Sequence, residues 1–286
     1  MPAPAPEAKQ KSTARAPPAN KHFMALAPDR LDRFARHIVL PEIGGAGQVA
    51  LAKAHVVLVG IGGIGSPALQ YLAAAGIGAL TLIDDDRVEA SNLQRQTLYK
   101  ADEVEHLKAD LGAVWVRDFD PDLEAYPVEC RITAGNAARL IAGADLVLDG
   151  CDNFATRLAV SDACVAARIP LVSAAVGRFQ GQVGTFAGHL PGQPCYRCFV
   201  GDAFDADDCD TCAEEGMLGA MAGWTGAFAA MQAIRVLLAP TGGPKDDKWG
   251  DPQWGKLHVL DGLTPAMRTM MIAKDPACQG CGANGC

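Results

Sequence analysis

Positive charge is scarce in this 286-residue chain, where 25 Lys and Arg stand against 33 Asp and Glu for a formal net charge of −8. General binding to nucleic acid or to an anionic membrane surface needs the opposite balance, so the charge argues against both. Any anion site must be built from a few placed Arg and Lys. A secretory leader is also missing, because prolines break the first twenty residues and no apolar core follows. The uncharged run Gly216 to Ile234 prompts a membrane question, but glycines, Thr225 and Gln232 dilute it and Glu215 and Arg235 bracket it. A buried helix is the expectation there. No internal repeat is evident. With a cytoplasmic location expected, the ten cysteines point to metal or catalytic thiols instead of a disulfide framework.

What is present is an alternation of short apolar strands and helices. Residues 1–28 are rich in Pro, Ala and Lys without a hydrophobic period and are expected to be a disordered tail, with Met24 a candidate start. Residues 29–286 are expected to form a single domain, with a nucleotide-binding half over about 29–176 and a second half over about 177–286. Strands are predicted at 55–59, 79–84, 144–150 and 170–176, and helices from Ile64, over 103–116 and over 154–168. That pattern implies an α/β fold: a Rossmann-like, mostly parallel sheet with helices on both faces. Beyond Gly181 the pattern predicts a strand at 183–186, a cysteine-rich loop, a long helix at 217–238 and a strand at 257–260. This reads as a C-terminal β extension of the sheet with a metal staple.

The strand Val56–Val59 runs into Gly60, Gly62, Gly63 and Gly65, and a helix follows at once. Such a turn lets backbone approach a phosphate at a helix N-terminus. Asp84, 24 positions beyond Gly60, ends the second strand where a carboxylate accepts from ribose hydroxyls. Glycines and acid together predict an adenosine-type ligand but do not choose between NAD and ATP. ATP carries more negative charge and asks for Arg, Lys and a divalent cation. Asn92, Arg95, Gln96 and Lys108 lie just beyond Asp84, and Asp152 and Asn153 lie past the end of another parallel strand. Asp152 offers oxygen to Mg2+, or else caps the helix at Phe154.

The segments RFARHIVL, GIGGIGS, LTLIDDDRVEASNLQRQTL, LVLDGCDN, PLVSAA, GQV, PCYRC and DPACQGCG resemble the MoeB/ThiF/HesA family, bacterial relatives of ubiquitin-activating enzymes. The resemblance covers Arg33 to Gly282, and MoeB-like members are nearest in pattern. It implies ATP- and Mg2+-dependent adenylation of the C-terminal Gly-Gly carboxylate of a small ubiquitin-fold sulfur carrier, for molybdopterin, thiamine or another thio-product. It puts the ribose acid on Asp84, phosphate contacts on Asn92, Arg95 and Lys108, and the magnesium acid on Asp152. It also puts an arginine finger, supplied by the other subunit of a homodimer, on Arg36. No catalytic histidine is needed, because a glycine carboxylate is already ionised at neutral pH. His37 and His55 are therefore expected to be structural.

Three CxxC pairs are present: Cys195/Cys198, Cys209/Cys212 and Cys278/Cys281. Two such knuckles supply the four thiolates of a structural zinc. Spacing alone would let the first and second pairs form a compact site, whereas the family resemblance joins the first to the third. It also makes Cys212 a mobile-loop cysteine, a candidate for acyl or persulfide transfer. Acidic neighbours would raise its thiol pKa, and Cys209 offers it a redox partner. Cys130, Cys151 and Cys164 are expected to be small core residues, and Cys286 has no assigned role. No rhodanese domain follows Gly282, so sulfur is expected from a separate protein such as a cysteine desulfurase or rhodanese. The competing readings are an NAD-dependent oxidoreductase, adenylation of another carboxylate such as a peptide C-terminus or a tRNA-bound group, and a non-catalytic binding module. The tRNA-modifying branch usually reads NINRQ where this chain has NLQRQ.

Overall fold

The protein is seen here as a computed structural model that describes residues 26–201, 216–239 and 251–282. The candidate start Met24, and Cys209, Cys212 and Cys286, lie outside the described residues.

One eight-stranded sheet organises the fold, in the order β3-β2-β1-β4-β5-β6-β7-β8. The strands are β1 (His55–Val59), β2 (Ala79–Ile83), β3 (Glu124–Val128), β4 (Leu146–Asp149), β5 (Leu171–Gly177), β6 (Gln180–Phe186), β7 (Lys256–Asp261) and β8 (Ala266–Met271). From β3 to β5 neighbouring strands are parallel, and from β5 to β8 they are antiparallel. The expected Rossmann-like parallel sheet with a C-terminal β extension is thus what the chain forms. Its central parallel strands β1 and β4 are buried throughout because helices cover both faces. Val56 and Leu58 of β1 enter one core, and Val57 and Val59 enter the other.

The helices are α1 (Pro28–Arg33), α2 (Ala35–Ile38), α3 (Gly44–Lys53), α4 (Gly65–Ala74), α5 (Lys108–Phe119), α6 (Ala137–Leu140), α7 (Phe154–Ala167), α8 (Tyr196–Val200) and α9 (Gly219–Leu238). α4 and α9 lie together on the first face, and α6 and α7 on the second. No helix among the described residues is long and apolar enough to cross a membrane. α9 is the helix expected from the run Gly216–Ile234.

Two strands escape the sequence pattern. β3 is half-buried and carries Pro127 at the sheet edge, where a missing N–H is tolerated. β8 is the opposite edge, and all six of its residues are exposed. The helix expected over 103–116 is also displaced. Glu105 takes a left-handed φ of 70°, and residues 105–108 run antiparallel to 86–88 through Glu105 N–H to Val88 O (2.8 Å) and Lys108 N–H to Asp86 O (3.0 Å). α5 therefore starts only at Lys108, whose side chain is brought back to the end of β2. At the other end of the chain, Pro28, the last residue of the expected tail, is the first residue of α1, where its missing N–H has no helical partner to lose.

Candidate active site

β1 lies between β2 and β4, where the order of parallel strands reverses, and ligands of such sheets bind beyond the C-terminal strand ends at that point. Gly60 leaves β1 with φ 80°, a conformation glycine adopts without steric penalty. A Cβ there would also sit 3.1 Å from the backbone nitrogen of Cys151. At Gly65, which opens α4, a Cβ would overlap the Gly60 carbonyl oxygen. Gly65→Ala must therefore spread the turn. It is expected to lower the melting temperature by roughly 5 °C or more and to abolish the shift given by nucleotide. An unchanged melting curve that still responds to ATP would show the turn is not so constrained.

The residues beyond Asp84 fold onto this turn. The amide nitrogen of Gln96 lies 3.6 Å from where a Cβ of Gly62 would be, and Cγ and Cδ of Arg95 lie equally close to that position at Gly63. Gln96 is buried, and its Oε1 has no hydrogen-bond partner among the described residues. An unsatisfied buried amide beside a bare glycine turn is a group in want of a ligand. Arg95 is half-buried, with Nη1 donating to Ser91 O at 3.0 Å. Asn92 closes the short helical turn Ala90–Asn92, its Oδ1 accepting from Glu89 N–H at 3.3 Å.

Asp84 accepts from the Ile61 N–H at 2.6 Å and from the Asp86 N–H at 2.8 Å. Burial pushes its carboxyl above the ordinary value, while these donors and Lys108 pull the other way. Lys108 is buried and donates from Nζ to Asp86 Oδ2 at 2.9 Å. Sequence reasoning passes over two residues here. Asp86 holds Lys108, and the Tyr99 hydroxyl donates to Ile61 O at 2.8 Å inside the turn. The run Asp84–Asp86 was a signal that could have found Asp86, but nothing in the pattern singled out Tyr99.

Asp152 lies exposed in the turn after β4, with no hydrogen-bond or ion-pair partner among the described residues. The cap of α7 is Asn153, whose Oδ1 accepts from Thr156 N–H at 2.9 Å. The capping role weighed for Asp152 thus belongs to its neighbour, and the Asp152 carboxylate is left open. A free carboxylate at the ligand edge suits Mg2+, which is commonly held by one or two carboxylates plus substrate phosphates.

Arg36 is not gathered here. It is exposed on α2, beside Phe34, whose ring closes on Gly76 beyond the C-terminal end of α4. The ten residues of α4 span about 15 Å, so Arg36 belongs to the opposite edge of the sheet. His37 and His55 are structural as expected: His37 Nδ1 meets Gln48 Oε1 at 3.0 Å, and His55 Nε2 meets Thr81 Oγ1 at 2.8 Å. Of the three expected core cysteines, Cys164 is buried, while Cys130 and Cys151 are half-buried at the rim of the second core.

A second centre lies beyond β6. The Sγ atoms of Cys195, Cys198, Cys278 and Cys281 all lie within 4.8 Å of one another. Cys195 and Cys278 are 3.6 Å apart, and Cys198 and Cys281 3.4 Å. Zinc at about 2.3 Å from each sulfur in a tetrahedron asks for edges of about 3.8 Å, so the four thiols fit it. The first and third CxxC pairs are the ones brought together. Arg197, inside the first pair, forms an ion pair with Asp162 of α7 at 2.7 Å and fixes the knuckle to the body.

The model of the ThiF family matches residues 34–280. The chain belongs to the ThiF family. This ThiF-family chain is 40% identical over 262 residues to the SAMP-activating enzyme E1 of Haloferax volcanii, covering 92% of this chain and 93% of that protein. To the sulfur carrier protein adenylyltransferase of Thermus thermophilus it is 39% identical over 261 residues, 89% and 92% of the two chains. To the molybdopterin-synthase adenylyltransferase of Escherichia coli (strain K12) it is 37% identical over 257 residues, 90% and 98%. Among solved structures, E. coli MccB superposes with a TM-score of 0.74 at 22% identity, over 89% of this chain and 73% of that one. PaaA gives 0.71 at 19%, over 91% and 79%. At that identity the likeness concerns the fold.

Proposed function

We propose that this ThiF-family chain is an adenylyltransferase that uses ATP to activate the C-terminal glycine carboxylate of a small ubiquitin-fold sulfur carrier, in the cytoplasm. The observation that supports the reading is that Arg95 and Gln96 lie against the glycine turn, while Lys108 is tied to Asp86 and Asp152 follows Cys151, whose backbone meets Gly60. A redox dinucleotide site needs the glycines and Asp84 but not this set. The names of relatives at about 40% identity support the same chemistry.

In this reading Asp84 receives the ribose hydroxyls and the glycine turn with the α4 N-terminus faces the phosphates. Asn92, Gln96 and Asn153 supply polar contacts around them. The carrier carboxylate attacks the α-phosphorus, the bond to the bridging oxygen breaks, and pyrophosphate leaves as the acyl-adenylate forms. No general base is required, since the nucleophile is already an anion. Alignment and charge neutralisation are what the site supplies, through Arg95 and Lys108. Asp152 would hold Mg2+, which neutralises phosphate charge. Zinc in the four-cysteine centre has a structural role. Arg36, remote from its own chain's site, is suited to reach that of a second copy, so the working unit is a homodimer. Sulfur then comes from a cysteine desulfurase or a rhodanese. Cys212 is a candidate for its relay.

Two measurements test this. ATP with Mg2+ is expected to raise the melting temperature where NAD does not; stabilisation by NAD alone would favour an oxidoreductase. ATP–pyrophosphate exchange is expected with at least one carrier ending in Gly-Gly. Its absence with every carrier tried, in folded zinc-loaded protein, would refute the substrate assignment.

A further inference from the structure

The segment LDGCDNFATR contains a basic residue to which no role has fallen, Arg157. It lies in the first turn of α7 and is buried. Its Nη2 donates to the carbonyl of Cys151 and, at 2.8 Å, to that of Ala174 on β5. Its Nη1 donates to Ser173 Oγ at 3.1 Å and faces Asp149 Oδ2 at 3.5 Å. Asp149, fully buried at the end of β4, also accepts from the Cys151 N–H at 3.0 Å and from the Ser173 hydroxyl at 3.0 Å.

Both backbone polar groups of Cys151 are therefore held, the N–H by Asp149 and the carbonyl by Arg157. Asp152 is the next residue, and the other side of the same turn rests on Gly60. A buried ion pair is a poor stabiliser compared with well-packed apolar groups. What this one does that apolar groups cannot is grip two carbonyls and a carboxylate from three segments at once, a task suited to a planar guanidinium. The Tyr196 hydroxyl, from the CxxC knuckle, also interacts with the guanidinium.

We propose that Arg157 is a positioning residue that fixes the turn 151–153 and, through it, aims the Asp152 carboxylate at the divalent cation carried by the nucleotide. The proposal rests on the role given to Asp152 above. Partners that orient a metal ligand commonly change metal affinity 10- to 100-fold when removed.

The test compares the full-length zinc-loaded chain with Arg157→Lys. Lysine keeps the charge beside Asp149 but cannot reach both carbonyls and Ser173 together. ATP affinity is measured by calorimetry in chelator-free buffer without added divalent cation and across a Mn2+ series. The expected result is an affinity within about twofold of wild type without added cation and an approximately tenfold loss of the Mn2+-dependent gain. In an Asp152→Asn background the same substitution is expected to change nothing further. Three results would overturn the proposal: an undiminished Mn2+-dependent gain, an equal loss with and without metal, or an additive loss in the Asp152→Asn background. A wild-type protein whose ATP affinity ignores Mn2+ would instead remove the role of Asp152, and the proposal with it. Should Arg157→Lys fail to fold, the pair Asp149→Asn with Arg157→Gln, which leaves no buried charge alone, is read by the same criteria.

Discussion

Arg95→Ala is expected to lower carrier-dependent ATP–pyrophosphate exchange at least roughly a hundredfold while leaving the melting temperature within a degree or two of wild type. A hundredfold is about 2.7 kcal/mol of transition-state stabilisation, the size typical of one preorganised charge removed from a site. Arg95 meets the conditions for that effect. Its aliphatic stem is laid along Gly63, and one Nη1 bond to Ser91 O holds it, so little reorganisation remains to be done when negative charge arrives. Removing it leaves no buried acid alone, which is why the fold should survive. Near-normal exchange in the folded variant would mean that the phosphates lie elsewhere.

The second large effect concerns the four-cysteine centre. Purified protein should carry one zinc per chain. Cys278→Ser, or a chelator, should lower the melting temperature by about 10 °C or more. Metal binding to such centres is itself folding free energy, about 10–16 kcal/mol in isolated zinc peptides. Here it ties residues 275–282 to the loop after β6, beside α8, which Arg197 links to α7, and its cysteines form a cluster apart from the two main cores. The pH dependence has a definite sign. Burial raises the thiols of Cys195 and Cys281, the latter to about 11, so without metal both are protonated at neutral pH. Zinc must displace those protons. The stability it contributes is present at neutral and higher pH and is lost as pH falls, so chelator sensitivity should rise on acidification. Protein without zinc that melts at the same temperature would remove the structural role.

Much of this was legible in the sequence because the parallel strands are buried on both faces and therefore read as bare apolar runs. The glycine turn and Asp84 were equally clear, since backbone approach leaves a compositional mark. The edge strands were not. β3 includes a proline, and β8 is exposed along its whole length, so neither shows burial periodicity. The start of α5 was misplaced because a tertiary pairing, residues 105–108 against 86–88, overrides a helical run of charged residues. The family resemblance, not the spacing, indicated which cysteine pairs come together. Tyr99 and Arg157 stayed hidden for a simpler reason. Each acts through backbone groups, which carry no sequence signature.

The seating of α9 has a consequence for how the molecule is made. Gly226 of that helix presses on the Ile64 carbonyl, Ala222 fits against Gly63, and Gly219 meets the Gln94 carbonyl. The nucleotide turn, written in the first quarter of the chain, is thus walled by a helix that leaves the ribosome more than 150 residues later. Until then the nascent chain carries an open turn with one apolar flank bare. A chain halted before residue 219 would lack this wall, and the exposed apolar flank would favour its aggregation over folding.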